Sequence, residues 1–278
     1  MPLLEKLDKK WLLVAASGLL LLGLLIGLLG LLFAEVPASE SAPTEPVAPT
    51  APPVTKAPGP YDTTRFTLND KGYLTCLTEE SRLGIDVSGF QGEIDWSAVA
   101  EAGVEFVFIR VGHRGNTEGG LYADEAAADY YAGAKAAGLD VGVYFYSQAI
   151  TPQEAVEEAE FVLELIDGWQ LELPVVFDWE WVSDEARTAN LSGQELTACT
   201  EAFCQRIRQA GLDTMIYFNL TQGLEMLSLS QLEEHDFWLA CYDLQLDFPV
   251  TVDFWQYSCT GSVPGITGDV DLNLQFVS

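Results

Sequence analysis

The chain is short of histidine and of positive charge. Its 278 residues hold two histidines, His113 and His235, and 13 Lys+Arg against 42 Asp+Glu, a formal net charge of −29. Two histidines so far apart all but exclude a multi-histidine metal site within one chain. There is also no G-x-S-x-G motif, so a serine triad lacks its nucleophile turn. The shortage of cations excludes nucleic acid as a partner, because phosphate binding needs a basic surface. Cysteine is sparse and odd in number: Cys76, Cys199, Cys204, Cys241 and Cys259. At least one is therefore unpaired or pairs between chains. Cys199 and Cys204 fall on different faces of one expected helix, a poor geometry for a bridge. A Cys241–Cys259 bridge between neighbouring strands stays open, but the favoured reading is five small core residues. What is abundant is apolar: 49% hydrophobic and 11% aromatic residues rule out a disordered acidic tail. That is enough for one core of roughly 200 residues.

Residues 1–10 form a short stub with Lys6, Lys9 and Lys10 against Glu5 and Asp8, and Trp11 to Ala34 is an uncharged apolar run. About 20 apolar residues cross a bilayer, so this run is long enough for one transmembrane helix. The basic flank keeps the stub in the cytoplasm and sends the rest outside. A cleaved signal peptide is the rival reading, which would leave a secreted protein. Its apolar region is normally shorter, about 7–15 residues, and no clean cleavage site follows. Gly23 and Gly27 form a GxxxG pair, read here as chance in a run this rich in Leu and Gly. Residues 35–60 are rich in Pro, Ala, Thr and Ser, an extended spacer with no core-forming power. Residues 61–83 read as a small hairpin turning near Asn69-Asp70-Lys71-Gly72.

From residue 84 to 278, short apolar strands alternate with helical stretches. Strands are expected at 84–88, 106–112, 140–147, 174–181, 214–219, 237–242, 252–258 and 271–276. Helices are expected from Asp124 to Ala137, after the Thr151–Glu154 capping signal with Pro152 at its first turn, and after Ser192–Glu195. Gly138, Gly168 and Gly211 close them. Continuously apolar strands alternating with helices predict a parallel sheet covered by helices. Eight of them predict an α/β fold: an irregular, TIM-like (β/α) barrel, with βα units first and short-linked strands at the end.

Barrel enzymes carry their reacting groups at the C-terminal ends of strands. The candidate acids are four: Asp86 ends the first strand, Asp178 and Glu180 sit in the fourth, and Asp271 opens the last. Residues i and i+2 of a strand share a face, so Asp178 and Glu180 point the same way, about 6–7 Å apart along the strand. Two carboxylates on an apolar strand repel and lose hydration, so one is expected to stay protonated. An acid beside an anion is what glycosidic cleavage requires. Asp95 reads as a helix N-cap, and both histidines as surface or hydrogen-bonded groups. Aromatics surround the acids. Half of them are assigned to ordinary core; Tyr144, Tyr217, Trp255 and Tyr257 are the candidates for a sugar-binding wall. The strong negative charge favours protonation of Glu180, so an acidic optimum is expected, moving to lower pH as salt rises.

Gly84-Ile85-Asp86-Val87-Ser88, Gln91-Gly92 and Ile94-Asp95-Trp96, followed in order by Phe177-Asp178-Trp179-Glu180, Trp255-Gln256-Tyr257-Ser258 and Val270-Asp271-Leu272-Asn273, resemble glycoside hydrolase family 25, the Chalaropsis-type lysozymes. The resemblance implies a flattened barrel and N-acetylmuramidase activity on the β-1,4 bond from N-acetylmuramic acid to N-acetylglucosamine. It implies Glu180 as general acid, and Asp178 as the carboxylate that orients or stabilises the substrate acetamido group or attacks directly. Asp86 and Asp271 complete the acidic floor, and Gln91 joins the substrate-binding set. The implied partners are peptidoglycan glycan strands and, through the N-terminal helix, the membrane; no metal or cofactor is implied. Two positions depart from the pattern: Phe90 and Phe145 stand where histidine is common. Two other functions compete. One is a non-catalytic wall-glycan binder on the same barrel, and the other a metal-dependent hydrolase that chelators would silence.

Overall fold

The computed structural model describes residues 63–277 apart from 79, 243–245 and 247. The apolar run 11–34 and the spacer 35–60 lie outside the described residues. Among the described residues no helix is long and apolar enough to cross a membrane.

The described chain opens with a hairpin, β1 (Phe66–Leu68) antiparallel to β2 (Leu74–Cys76). Asn69 makes its turn: the side-chain oxygen accepts from the N–H groups of Lys71 and Tyr73, and Gly72 takes a positive φ of 83°. The barrel strands follow: β3 (Ser81–Val87), β4 (Phe106–Arg114), β6 (Asp140–Ser147), β7 (Val175–Trp179), β8 (Thr214–Asn219), β9 (Asp236–Ala240), β10 (Phe254–Gly261) and β11 (Val270–Phe276). The short β5 (Leu121–Ala123) folds back antiparallel on β4. From β3 to β10 the barrel strands run parallel around the wall. β11 is antiparallel to both β10 and β3 and closes the ring. The expected all-parallel sheet is corrected here: β10 and β11 are joined too closely for a crossover, and such a link permits an antiparallel pair.

Helices cover the first half. α1 (Trp96–Glu101) starts on Asp95, whose carboxylate accepts from the N–H groups of Ser97 and Ala98. α2 (Ala127–Ala136) begins later than the sequence pattern indicates, because Asp124 is committed to Arg110 and to the Gly89 N–H. α3 (Pro152–Leu165) is capped by Thr151, and α4 (Gly193–Gln209) by the reciprocal Ser192–Glu195 box. No such helix follows β9 or β10 among the described residues. There the hairpin covers the sheet instead: Phe66 packs edge-on against Trp255 at 5.1 Å and against Phe276 at 6.0 Å.

Strand alternation sorts the core into two bodies. Val107, Ile109, Val143, Phe145, Val175, Phe177, Phe218 and Leu239 point outward under the helices. Phe106, Phe108, Val176, Met215, Trp238 and Phe254 fill the interior. Two glycines make room for that plug. A Cβ on Gly84 would sit 2.1 Å from the Phe106 ring, and one on Gly142 would sit 2.3 Å from the Phe108 ring. Further along the same inward faces the residues turn polar: Arg110 on β4, Tyr146 on β6, Asp178 on β7, Gln256 on β10. The barrel is therefore dry at the N-terminal end of its strands and polar at the other.

None of the five cysteines, all among the described residues, is in a disulfide. Cys199, Cys204 and Cys241 are buried as expected, but Cys259 is exposed and Cys76 is half-buried, so the all-core reading fails for those two. Cys259 lies near the end of β10, beyond the part that pairs with β9.

Candidate active site

A cavity of about 220 Å³ opens at the polar end, lined by Asp86, Tyr144, Asp178, Glu180, Tyr217, Trp238, Tyr242, Gln256 and Asp271. It runs into a second of about 450 Å³, which shares four acids and Tyr144 and adds Ser88, Phe90, Gln91, Arg110, His113 and Tyr146. All four sequence-predicted acids thus meet in one place.

Asp86 and Asp271 are brought together by the closing strand. They are direct partners in the antiparallel register of β3 and β11, which holds opposing side chains close. Their carboxyls are hydrogen-bonded to each other. Asp86 Oδ2 also accepts from Gln256 Nε2 at 2.9 Å and Asn273 Nδ2 at 2.8 Å. The amides are themselves held: Tyr217 and Tyr242 hydroxyls each donate to Gln256 Oε1 at 2.9 Å, and Trp238 Nε1 donates to Asn273 Oδ1 at 2.9 Å. Burial, and next the facing Asp271, push the Asp86 carboxyl well above the usual carboxylate range. Burial carries Asp271 up to about 6.

Asp178 and Glu180 are held differently. Asp178 is buried, and its Oδ1 has no hydrogen-bond partner among the described residues. Burial pushes its pKa well above the usual carboxylate range, Glu180 and then Asp86 add to the effect, and Arg110 opposes it. Glu180 lies one residue beyond the end of β7, at Trp179, rather than inside the longer strand that the sequence pattern indicates. Burial raises its pKa and the charge of Asp271 adds to it. Its side chain faces the cavity, while two buried glutamine amides fix its backbone. Gln148 Nε2 donates to the Glu180 carbonyl at 3.0 Å, and Gln222 Nε2 donates to the Trp179 carbonyl at 2.8 Å. Thr188 Oγ1 donates to Gln148 Oε1 at 2.8 Å and sets the orientation of that amide.

The expected sugar wall divides. Tyr144 and Tyr217 line the first cavity. Gln91 lines the second, where its Oε1 accepts from the Ser88 N–H at 2.8 Å and shapes the loop. Trp255 and Tyr257 are corrected: they point away from the cavity. Inward-facing residues of β10 are Phe254 and Gln256, so their neighbours face outward by strand parity. Trp255 is fully buried, with its Nε1 donating to the Cys241 carbonyl at 2.7 Å, and the Tyr257 hydroxyl accepts from the Leu74 N–H of the hairpin. The sequence reading missed Gln256, Asn273, Gln148 and Arg110. For Gln256, Asn273 and Arg110 the signal was a polar residue inside an otherwise apolar strand; Gln148 lies just past the end of β6 and carries no such signal. His113 stacks on Tyr122 at 5.2 Å and lines the second cavity. His235 is buried between Thr214 Oγ1 and Glu201.

The family model described as glycosyl hydrolases family 25 matches residues 85–266. The chain belongs to this family. It is 30% identical over 267 residues to lysozyme M1 of Streptomyces globisporus, covering 88% of each chain. It is 33% identical over 191 residues to the autolytic lysozyme of Clostridium acetobutylicum, covering 68% of this chain and 54% of that one. The chain thus spans about half the length of the latter. The crystal structure of the bacterial lysozyme from Streptomyces coelicolor superposes with a TM-score of 0.61 at 28% identity, over 72% of this chain and 93% of that one. The resemblance read from the motifs holds.

Proposed function

We propose that this protein is a peptidoglycan hydrolase that cuts the β-1,4 bond from N-acetylmuramic acid to N-acetylglucosamine. The observation that carries the reading is the pair at the end of β7. A buried carboxyl oxygen without a partner faces the same cavity as a second carboxyl with a raised pKa. A buried acceptor left unpaired costs about 1–3 kcal/mol, so a ligand donor is its natural complement. The N–H of a substrate acetamido group supplies one. That N–H favours the ionised form of Asp178, and by accepting it Asp178 turns the acetamido oxygen toward the anomeric carbon. Protonated Glu180 then gives its proton to the departing glycosidic oxygen, and afterwards takes one from the incoming water. The half-exposed Tyr242, the half-buried Tyr144 and the buried Tyr217 offer faces and hydroxyls to the rings. The relatives named as lysozymes support the choice of substrate.

The apolar run Trp11 to Ala34 anchors the enzyme with its N-terminus in the cytoplasm. The spacer 35–60 holds the barrel outside, within reach of the wall. Full-length protein incubated with peptidoglycan is expected to release new muramic acid reducing ends, and Glu180→Gln is expected not to. Folded wild-type protein that releases none at any pH between 4 and 8 (the range spanning the carboxyl titrations) would overturn the reading. Protection of the barrel from protease added outside intact cells would overturn the orientation.

A further inference from the structure

The second cavity carries a feature that the reaction above does not use. Arg110 points into it from β4, and among the described residues it is the one permanent cation lining either cavity. Its position is fixed. Asp124 Oδ2 accepts from Nε at 2.9 Å and pairs with Nη2 at 2.8 Å, and the same carboxylate accepts from the Gly89 N–H. Nη1 has no protein partner among the described residues. Phe90 lies over the guanidinium, 5.0 Å from ring centre to Cζ, although the side chain is 86% exposed. An exposed phenylalanine on the rim, held by a cation, makes a wall for a ligand rather than for the core. Phe90 is also one of the two positions where this chain departs from the pattern it resembles. Burial and the nearby Arg110 keep His113 short of protons, so it adds no second cation.

An anionic glycan entering a mouth floored by four carboxyls meets repulsion everywhere but here. We propose that Arg110, backed by Phe90, is the specificity-determining residue of the cleft and takes a carboxylate borne by the 3-O substituent of the muramic sugar. This rests on the muramidase reading of the same site. The carboxylate has two sources. On strands stripped of peptide it is the lactyl carboxyl itself; on peptide-bearing strands that carboxyl is an amide, and the nearest carboxylate belongs to the stem.

The test uses the full-length chain and three tetrasaccharides of alternating N-acetylglucosamine and N-acetylmuramic acid. They carry a free lactyl carboxyl, its neutral methylamide, or its L-alanyl amide. Binding is measured in the Glu180→Gln background, so the result does not depend on cleavage. The carboxylate-bearing glycans are expected to bind at least ~10-fold more tightly than the methylamide, as a charged hydrogen bond warrants. Arg110→Gln is expected to abolish that preference, and Arg110→Lys to keep part of it with greater salt sensitivity. Loss confined to the lactyl acid assigns the stripped strand; loss confined to the alanyl glycan assigns the stem. An Arg110→Gln protein with an unaltered melting temperature and an unaltered preference overturns the inference. Should that variant fail to fold, Phe90→Ala is expected to narrow the preference, and an unchanged ratio there overturns it equally. Wild-type protein that binds all three glycans but cleaves none would overturn the muramidase reading and leave this one standing.

Discussion

At the mouth of the barrel, Asp86 and Asp271 are tied into the protein through their side chains, whereas among the described residues Asp178 and Glu180 are tied only through their backbones. Asp86 receives two side-chain amides and shares a hydrogen bond with Asp271, and each amide is itself pinned by a hydroxyl or an indole. Asp178 keeps an unpartnered oxygen, and the carbonyls on either side of the Trp179–Glu180 peptide are gripped from behind by Gln148 and Gln222. The first pair thus acts as a frame and a source of negative potential. On the proposed mechanism the second pair is left incomplete in a way that a substrate completes: the held acids shape the site and the unfilled ones do its chemistry.

Breaking the working pair should have the largest effect. Glu180→Gln is expected to lower kcat on peptidoglycan by about 10³-fold or more, and Asp178→Asn by about 10²–10³-fold. Steady-state release of reducing ends checks both, with circular dichroism as the control for folding. Attacking the frame should cost less. In Asp86→Asn, an NH2 group would face the donors of Gln256 and Asn273. The loss expected is about 10–10²-fold in kcat, with a fall in melting temperature that Glu180→Gln does not show. Losses equal to those of Glu180→Gln would erase the distinction between the pairs.

The clamp behind Glu180 offers a sharper cut. Gln148→Met keeps the bulk of the side chain and removes the amide, freeing the Glu180 carbonyl. About a 10-fold drop in kcat with KM within about 2-fold is expected, because the acid is displaced without loss of sugar contacts. A change in KM alone would count against a positioning role. The smallest effect belongs to Tyr257→Phe. Its hydroxyl binds the hairpin and not the cavity, so denaturant unfolding should register a loss of about 1 kcal/mol while activity stays at the wild-type level.

Much of this was legible in the sequence, for identifiable reasons. Helix starts are local events, and Asp95, Thr151 and Ser192 announce them with a side chain and a spacing. The meeting of Asp86, Asp178 and Glu180 was legible too, because the ends of parallel strands converge on one rim of a barrel; Asp271 joins them only because β11 runs antiparallel. Parity on β10 was not. Aromatic content drew attention to Trp255 and Tyr257, while the inward residue was the polar Gln256 between them. Nothing local tells which face of a strand is inside when both faces are buried; here a hairpin from another part of the chain covers the outer one. The antiparallel closure by β11 escaped for a similar reason, since pairing direction depends on where the chain returns. Gln148 and Gln222 act through backbone carbonyls, and no sequence pattern marks that.

Titration of kcat with pH in wild type and Asp271→Asn tests the central claim most directly. On the proposed mechanism Glu180 must be protonated to act, and burial together with the charge of Asp271 raises its pKa. Activity should therefore fall as pH climbs through a value above the ordinary carboxylate range. Removing the Asp271 charge makes ionisation of Glu180 easier, so the alkaline limb should move to lower pH. A limb that stays in place in Asp271→Asn, or that persists in the residual activity of Glu180→Gln, would contradict the assignment of Glu180 as the acid and of Asp271 as part of its frame.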